Sequence, residues 1–394
     1  MANRDVVVLS AVRTAIGGYG GSLKEVEAAD LGGMVVKEAV ARAGVDPAKI
    51  NYVTVGSCIP CESRSPYVSR VAAINGGLSD ESVAVTVNRL CGSGLQAVVS
   101  TAQSILLGDC DFGIGGGAEV MSRGAYISPA TRHGARMGDT QMVDMMVATL
   151  TDPFGVGHMG VTAENLAEKW GFTREDQDAF AVESQRRAAA AIEAGHFKSQ
   201  IMPVVMKTRK GDVVFDTDEH PKPGTTMETL AKLRPAFKKD GTVTAGNASG
   251  INDAAAMVVL AEAGAAERAG CKPMARLVAY GIAGVPHHIM GEGPIPASKI
   301  ALERSGLKLD QMDVIESNEA FAAQALTVLK ALDMDPARTN PNGGAIALGH
   351  PVGATGAILT TKALYELERI GGRYALVTMC IGGGQGISAI FERL

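Results

Sequence analysis

Apolar residues recur along this chain with two periods, and stretches of each kind alternate. VVVLSAV (6–12) and YVTVGS (52–57) read as strands, and SVAVTVN sets Val83, Val85 and Val87 on alternate positions. Between them, LGGMVVKEAVARAGV (31–45) reads as a helix. After Cys91, the residues Leu95, Val98, Val99, Ala102 and Leu106 keep helical spacing, with Gly108 placed as a C-cap. DFGIGGGAEVMS (111–122) predicts a strand, a turn at its three glycines and a second strand. This is the rhythm of stacked βα units, so the fold class is α/β.

The C-terminal third repeats it. DVIES predicts a strand, and Phe321, Ala325, Val328, Leu329 and Leu332 mark one face of a helix. Ala357, Leu364 and Leu367 share a face of the next helix, which ends at Gly371-Gly372. YALVTMC and ISAIFERL then read as two strands around the turn IGGGQG. We read the shared pattern of the two ends as an internal duplication. Between them, over 121–248, helical pieces (VTAENLAEKW, REDQDAFAVESQRRAAAAIEAG) alternate with polar loops such as DTDEHPKPGTT. This predicts an excursion from the first half rather than an independent domain. The division expected is 1–120 plus 249–270, 121–248, and 271–394.

With 394 residues, 46% of them hydrophobic and 20% charged, the chain can bury large apolar surfaces over two or three domains. Its 48 glycines and 4% aromatics suit close packing of helices on sheets. A net charge of −5 argues against nucleic acid as a partner. MANRDVVVLSAVRTA lacks the basic-then-apolar order of a secretory signal, and no run of about 20 apolar residues predicts a membrane span. Six thinly spread cysteines suit a reducing compartment, so the expected location is cytoplasmic.

Four stretches carry chemistry. In NRLCGSG, Cys91 sits between a strand and a helix, where the helix N-terminus lowers a thiol pKa. A buried structural cysteine is the alternative. In NPNGGAIALGHPVGATG, His350 stands in a Gly-rich loop before a helix, either a surface or satisfied histidine or the base that a nucleophilic cysteine needs. In TMCIGGGQG, the glycines after Cys380 either expose N–H groups for an oxyanion or make a tight hairpin. In SNEAFAAQ, Asn318 reads as an N-cap and Glu319 as a first-turn acid. A further pair, Cys58 and Cys61, has CxxC spacing, but no second pair completes a metal set.

Taken in order, NRLCGSG, SNEAFAAQ, GHPVGATG and CIGGGQG resemble the four signature segments of thiolases. TAGNASGIND (244–253) and GHMGVTAEN (157–165) are similar to further thiolase segments. The likeness covers essentially the whole chain and is nearest to the short-chain, biosynthetic acetyl-CoA acetyltransferases and β-ketothiolases. It implies two pseudo-duplicated βαβαβαββ halves packed as a five-layer α-β-α-β-α sandwich, with a loop domain inserted in the first. It also implies reversible condensation of two short acyl-CoAs to a 3-ketoacyl-CoA and CoA, with no metal or redox cofactor.

By this resemblance, Cys91 is the nucleophile that carries the acyl group, and His350 activates it and helps hold a thioester oxyanion. Asn318 positions a water completing that oxyanion site. Cys380 moves the proton at the α-carbon or at the CoA thiol, and the N–H groups of Cys91 and Gly382 form a second oxyanion hole. Ser249 lies near the pantetheine and Lys222 near the nucleotide, where close relatives carry Arg. His158 and Met159 line the acyl pocket, with Met290 and Phe321 as further substrate-side positions. Met159 shortens that pocket, which predicts four- or five-carbon products. PATRHGARMGD (129–139) lies where relatives carry a tetramer-forming loop, so a homotetramer is expected. Three rivals are a ketoacyl synthase acting on acyl carrier protein, a non-catalytic acyl-CoA binder and a cysteine hydrolase. The presence of Cys91, His350 and Cys380 together favours the thiolase.

Overall fold

The structure is a computed structural model describing residues 4–208 and 211–394, so Met1–Asn3 of the segment weighed above as a leader lie outside the described residues. Nine strands set the frame: β1 Val6–Thr14, β2 Tyr52–Gly56, β3 Val83–Val87, β4 Phe112–Val120, β5 Asn252–Glu262, β6 Ala275–Gly284, β7 Val314–Ser317, β8 Tyr374–Ile381 and β9 Gln385–Arg393. They run side by side in the order β7-β8-β9-β6-β1-β5-β4-β2-β3. The link between β6 and β1 is only Val7 with Arg276 and Val8 with Ala275. The array is therefore two sheets, one from each half of the chain, joined at a corner.

The longer helices are α1 Ala28–Ala43, α2 Val68–Asn75, α3 Ser93–Leu107, α4 Met159–Trp170, α5 Arg174–Glu193, α6 Pro294–Ser305, α7 Ala322–Leu332 and α8 Thr355–Ile370, all but α4 and α5 forming the layers. Helices α1 and α2 cover the outer face of the first sheet, and α6 and α7 that of the second. Helices α3 and α8 lie between the sheets and touch both. That is the five-layer α-β-α-β-α order. The second half follows the path of the first, with its third strand reduced to a bridge between Ile315 and Thr339.

The stretch Leu90–Leu107 is apolar and long enough by composition to cross a membrane. It is instead a helix of the central layer, buried between the two sheets and exposed at its end at Leu106 and Leu107. Leu95, Val98, Val99, Ala102 and Ile105 are fully buried. Leu106, expected on that face, is 40% exposed, and Ile105 takes its place. Gly108 closes the helix at φ +88°, in the left-handed region that glycine favours.

A second difference lies in DFGIGGGAEVMS. No turn interrupts it: Phe112–Val120 is one strand, with Gly115 and Gly117 facing the central helices. A Cβ at Gly115 would stand 2.6 Å from Val98 Cα, and one at Gly117 would stand 2.1 Å from Gly353 O. These glycines let backbone pack on backbone; they do not bend the chain.

Residues between β4 and β5 lie mostly outside the sheets; Ile201–Met202 pair in parallel with Arg13–Thr14 of β1, and a buried ion pair ties the stretch back. The Arg13 guanidinium donates to Asp218 Oδ1 at 2.7 Å and Oδ2 at 3.0 Å, and its Nε donates to Gln200 Oε1 at 2.7 Å. Asp218 also accepts the Ile16 N–H at 2.8 Å. Both charged side chains are fully buried, so removing one leaves the other uncompensated. Asp218→Ala is expected to lower stability by about 3–5 kcal/mol, read as a fall in the urea midpoint at unchanged m-value. A loss within the noise of a surface control would contradict this account.

Candidate active site

The site lies where the N-termini of α3 and α8 meet. A Cβ at Gly94 would stand 2.8 Å from Ala357 N, and one at Gly356 would stand 2.2 Å from Leu95 N. Only glycines permit that contact. Cys91 precedes α3 on an elbow where Leu90 holds φ +46°, a strained value for a leucine. Ser93 Oγ fixes the elbow by accepting the Arg89 N–H at 2.8 Å and donating to Leu90 O at 2.7 Å.

The end of β8 completes the shelf. A Cβ at Gly92 would meet Ile381 Cδ1 at 2.5 Å, so the chain just after Cys380 packs directly beside Cys91. The N–H groups of Gly382 and of Cys91 itself point at the Cys91 sulfur. Burial nevertheless pushes the Cys91 thiol up to about 11, outweighing those N–H donors. The expectation of a lowered pKa at this helix start is thus corrected. Water is excluded more strongly than the N–H dipoles attract the charge, and the resting group is a thiol. Cys380 is fully buried, and burial first, then the neighbouring Cys91, raises its pKa.

His350 is held from two sides. Its N–H donates to Asn252 Oδ1 at 2.9 Å, and its Nδ1 is 2.7 Å from Thr355 Oγ1. The Thr355 hydroxyl donates to Pro351 O at 2.9 Å, so it accepts from the imidazole. Nδ1 therefore carries the proton, and the lone pair is on Nε2. Burial pushes the imidazole down to about 4, so it is neutral at pH 7. Nε2 has no hydrogen-bond partner among the described residues, and neither has the carboxamide of the fully buried Asn318. Buried polar atoms are normally paired, so each of these groups is left open to a partner that the described residues do not supply.

Asn318 and Cys380 are brought together by strand pairing. Ser317 at the end of β7 pairs with Thr378 on parallel β8, and Asn318 N donates to Thr378 O at 3.0 Å. The N-cap expectation for Asn318 fails, because α7 begins after Phe321. Glu319 is not a solvated first-turn acid either. It is buried and accepts from Ser184 Oγ at 2.6 Å and Asn340 Nδ2 at 2.9 Å, which anchors the loop.

Above Cys91 and His350 opens a cavity of about 410 Å³ lined by His158, Met159, Ser249, Met290 and Phe321, all expected from sequence. His158 caps α4 by accepting the Gly160 N–H at 3.1 Å, and its ring stacks on Phe237 at 4.6 Å. Phe237 in turn meets Phe321 edge-on at 6.0 Å. The sequence reading missed Phe237 and His220, both lining the cavity from polar loops without periodicity. His220 had one usable signal, being one of only seven histidines. Lys222 is exposed and does not line the cavity; its N–H donates to Gln185 Oε1 at 2.9 Å.

The family model described as thiolase, N-terminal domain, matches residues 6–264, and thiolase, C-terminal domain, matches residues 271–393. The chain is 63% identical over 392 residues to beta-ketothiolase BktB of Cupriavidus necator, covering 99% of this chain and 100% of the relative. It is 49% identical over 392 residues to acetyl-CoA acetyltransferase of Thiocystis violacea, covering 99% of each. The crystal structure of the Bacillus anthracis acetyl-CoA acetyltransferase superposes with a TM-score of 0.97 at 44% identity, covering 100% of both chains. Human mitochondrial 3-ketoacyl-CoA thiolase in complex with CoA superposes at 0.96 and 43% identity, covering 99% of this chain and 98% of that one. Whole-length sequence, matched fold and the meeting of Cys91, His350, Asn318 and Cys380 agree, and the chain belongs to the thiolase family.

Proposed function

We propose that the protein is an acetyl-CoA C-acetyltransferase, a β-ketothiolase that interconverts two short acyl-CoAs with a 3-ketoacyl-CoA and CoA. The observation that carries this reading is the pairing of a thiol, Cys91, with a neutral imidazole whose Nε2 lone pair is free. In condensation, Nε2 takes the Cys91 proton and the sulfur attacks the acetyl-CoA carbonyl. CoA leaves, protonated through Cys380, and an acetyl thioester remains on Cys91. Cys380, now a thiolate, removes a proton from the α-carbon of a second acetyl-CoA, and the resulting carbanion attacks the acetyl group. The Cys91–acyl bond breaks, acetoacetyl-CoA departs, and the Cys91 thiolate takes its proton back from His350 Nε2. Covalent capture divides one difficult acyl transfer into two easier steps.

The oxyanions need donors in a dry site. We assign one to the Cys91 and Gly382 N–H groups and the other to His350 with a water held by Asn318. CoA thioesters are the only reactants this chemistry calls for. Ser249, whose N–H donates to Ala320 O at 3.0 Å, ties the pantetheine wall to the Asn318 loop. Lys222, outside the cavity, is left to meet the nucleotide as a point charge. The excursion over 121–248, which supplies His158, Met159 and Phe237, is the CoA-binding domain in this reading, with 1–120 plus 249–270 and 271–394 as the two halves.

We also propose a cytoplasmic homotetramer. Its support is the edge strand β3, with Val83 54% and Val85 42% exposed, and a 126–143 loop that exposes Tyr126, Met137 and Met142. Such apolar groups on an open strand edge suit a partner subunit. All six cysteines are free, as a reducing compartment maintains them.

Thiolysis of acetoacetyl-CoA by CoA is expected to be robust and to fall at least about 10³-fold in Cys91→Ala; a well-folded parent with no turnover would overturn the reading. The Met159 sulfur lies 3.4 Å from where a Gly382 Cβ would stand, at the acyl end of the cavity. Met159→Ala is therefore expected to raise kcat/KM for 3-ketohexanoyl-CoA relative to acetoacetyl-CoA about tenfold, and efficient thiolysis of 3-ketohexadecanoyl-CoA by the parent would contradict a short pocket. The pH dependence follows from the two shifts: His350 is neutral above about 4, and Cys91 stays protonated until about 11. Iodoacetamide alkylation of Cys91 should thus keep rising with the thiolate fraction from pH 8 to 10. A plateau by pH 8 would point to a thiolate–imidazolium pair instead.

A further inference from the structure

One buried carboxylate near the site takes no part in the chemistry above. Glu119 stands near the end of β4, fully buried, on the face turned toward the central helices. Among the described residues it has no cationic partner. It is held entirely by donors from two separate segments. The N–H groups of Cys58 and Ile59 reach it at 3.0 and 3.1 Å, with the Ser57 hydroxyl at 3.5 Å. The Gly353 N–H reaches the same carboxylate at 2.8 Å. Gly353 is in the loop that carries His350 into α8.

The segment on the other side leads to the nucleophile. Cys58 Sγ lies 3.1 Å from Leu90 O and 3.1 Å from Ser93 Oγ, the two residues that set the Cys91 elbow. The Cys58 side chain is buried and packs with Ile59, Met121 and Val352 against Cys91. An unbroken chain of contacts thus runs from the His350 loop, through Glu119 and Cys58, to the strained turn at Leu90. It crosses from one half of the fold to the other.

We propose that Glu119 and Cys58 are positioning residues that together fix the His350 loop against the Cys91 elbow. The inference rests on the proposed roles of Cys91 and His350. A carboxylate suits this task because two acceptor oxygens can satisfy several N–H groups at once, whereas an amide offers one oxygen and two competing donors. It also gives Cys58, half of a CxxC without a metal set, a place in the same machinery. Met121 and Val352 are shared between the clamp and the cavity, but His158, Met159, Phe237, Ser249, Met290 and Phe321, which form most of the wall, stand on other elements, so loosening the clamp should disturb chemistry more than binding.

The test is steady-state thiolysis of acetoacetyl-CoA by the full-length protein. Parent turnover and its loss in Cys91→Ala are established first, so failure of the thiolase reading is seen before the clamp is tested. Glu119→Gln is expected to lower kcat about ten- to a hundredfold while KM for acetoacetyl-CoA stays within about threefold. Cys58→Ala should lower kcat in the same way, and Cys58→Ser, whose hydroxyl keeps the bonds to Leu90 O and Ser93 Oγ, should restore it. The double variant Glu119→Gln/Cys58→Ala should be no worse than Glu119→Gln alone, because both break one chain of contacts. Unchanged kcat in Glu119→Gln or Cys58→Ala, a loss confined to KM, additive effects, or Cys58→Ser as slow as Cys58→Ala would each overturn the proposal. Should Glu119→Gln not fold, the Cys58 pair decides the question by itself.

Discussion

Everything at the site depends on two helices meeting end to end with no side chains between them. Gly94 on α3 and Gly356 on α8 place backbone against backbone, and any methyl group there would drive the helices apart. Because α3 follows the Cys91 elbow and α8 follows the His350 loop, that one contact sets the relation of Cys91 to His350. It also brings two helix N-termini, each with free N–H groups, to the same point. The two sheets then deliver the rest: β8 carries Cys380 and Gly382 beside Cys91, and β7 carries Asn318 beside Cys380.

The electrostatic character of the site follows from its dryness. Burial raises both thiols and lowers the imidazole, so the reactive groups rest in their neutral forms. In the proposed reaction charge appears only while a bond is being made or broken, and the Cys91 and Gly382 N–H groups already face the Cys91 sulfur. A solvated cysteine would ionise more readily, but its thiolate would be a weaker prize for those donors, since water would already have satisfied it. The unpaired Nε2 of His350 and carboxamide of Asn318 are the complementary cost, carried by a rigid surround.

Much of this was legible in the chain. Alternating valines and helical spacing located the strands and helices of both halves, because most elements are amphipathic or buried in a regular way, although the alternating valines of β3 stand exposed on the sheet edge. The thiolase-like segments named Cys91, His350, Asn318 and Cys380; Cys91 and His350 line one cavity, Cys380 lies beside Cys91, and Asn318 is tied to the strand that carries Cys380. What escaped was set by distant contacts. GGG in β4 looked like a turn, since nothing local tells a glycine that bends from one that admits a neighbour. Asn318 looked like a cap, because nothing local tells an asparagine that starts a helix from one buried at a strand end with its carboxamide unpaired. Phe237, Asn252 and Thr355 carry no local signature. Their roles come from partners far away in sequence, such as Asn252 holding the His350 N–H across 98 residues.

The unbroken glycine run inside β4 has a bearing on how such a chain varies over generations. At Gly115 and Gly117 the neighbouring atoms are main chain, present whatever the adjoining side chains become. No compensating change nearby can make room for a methyl group, as a shortened side chain could in an ordinary core. These positions are thus closed to drift for a geometric reason, while the apolar residues around them are free to exchange volume among themselves.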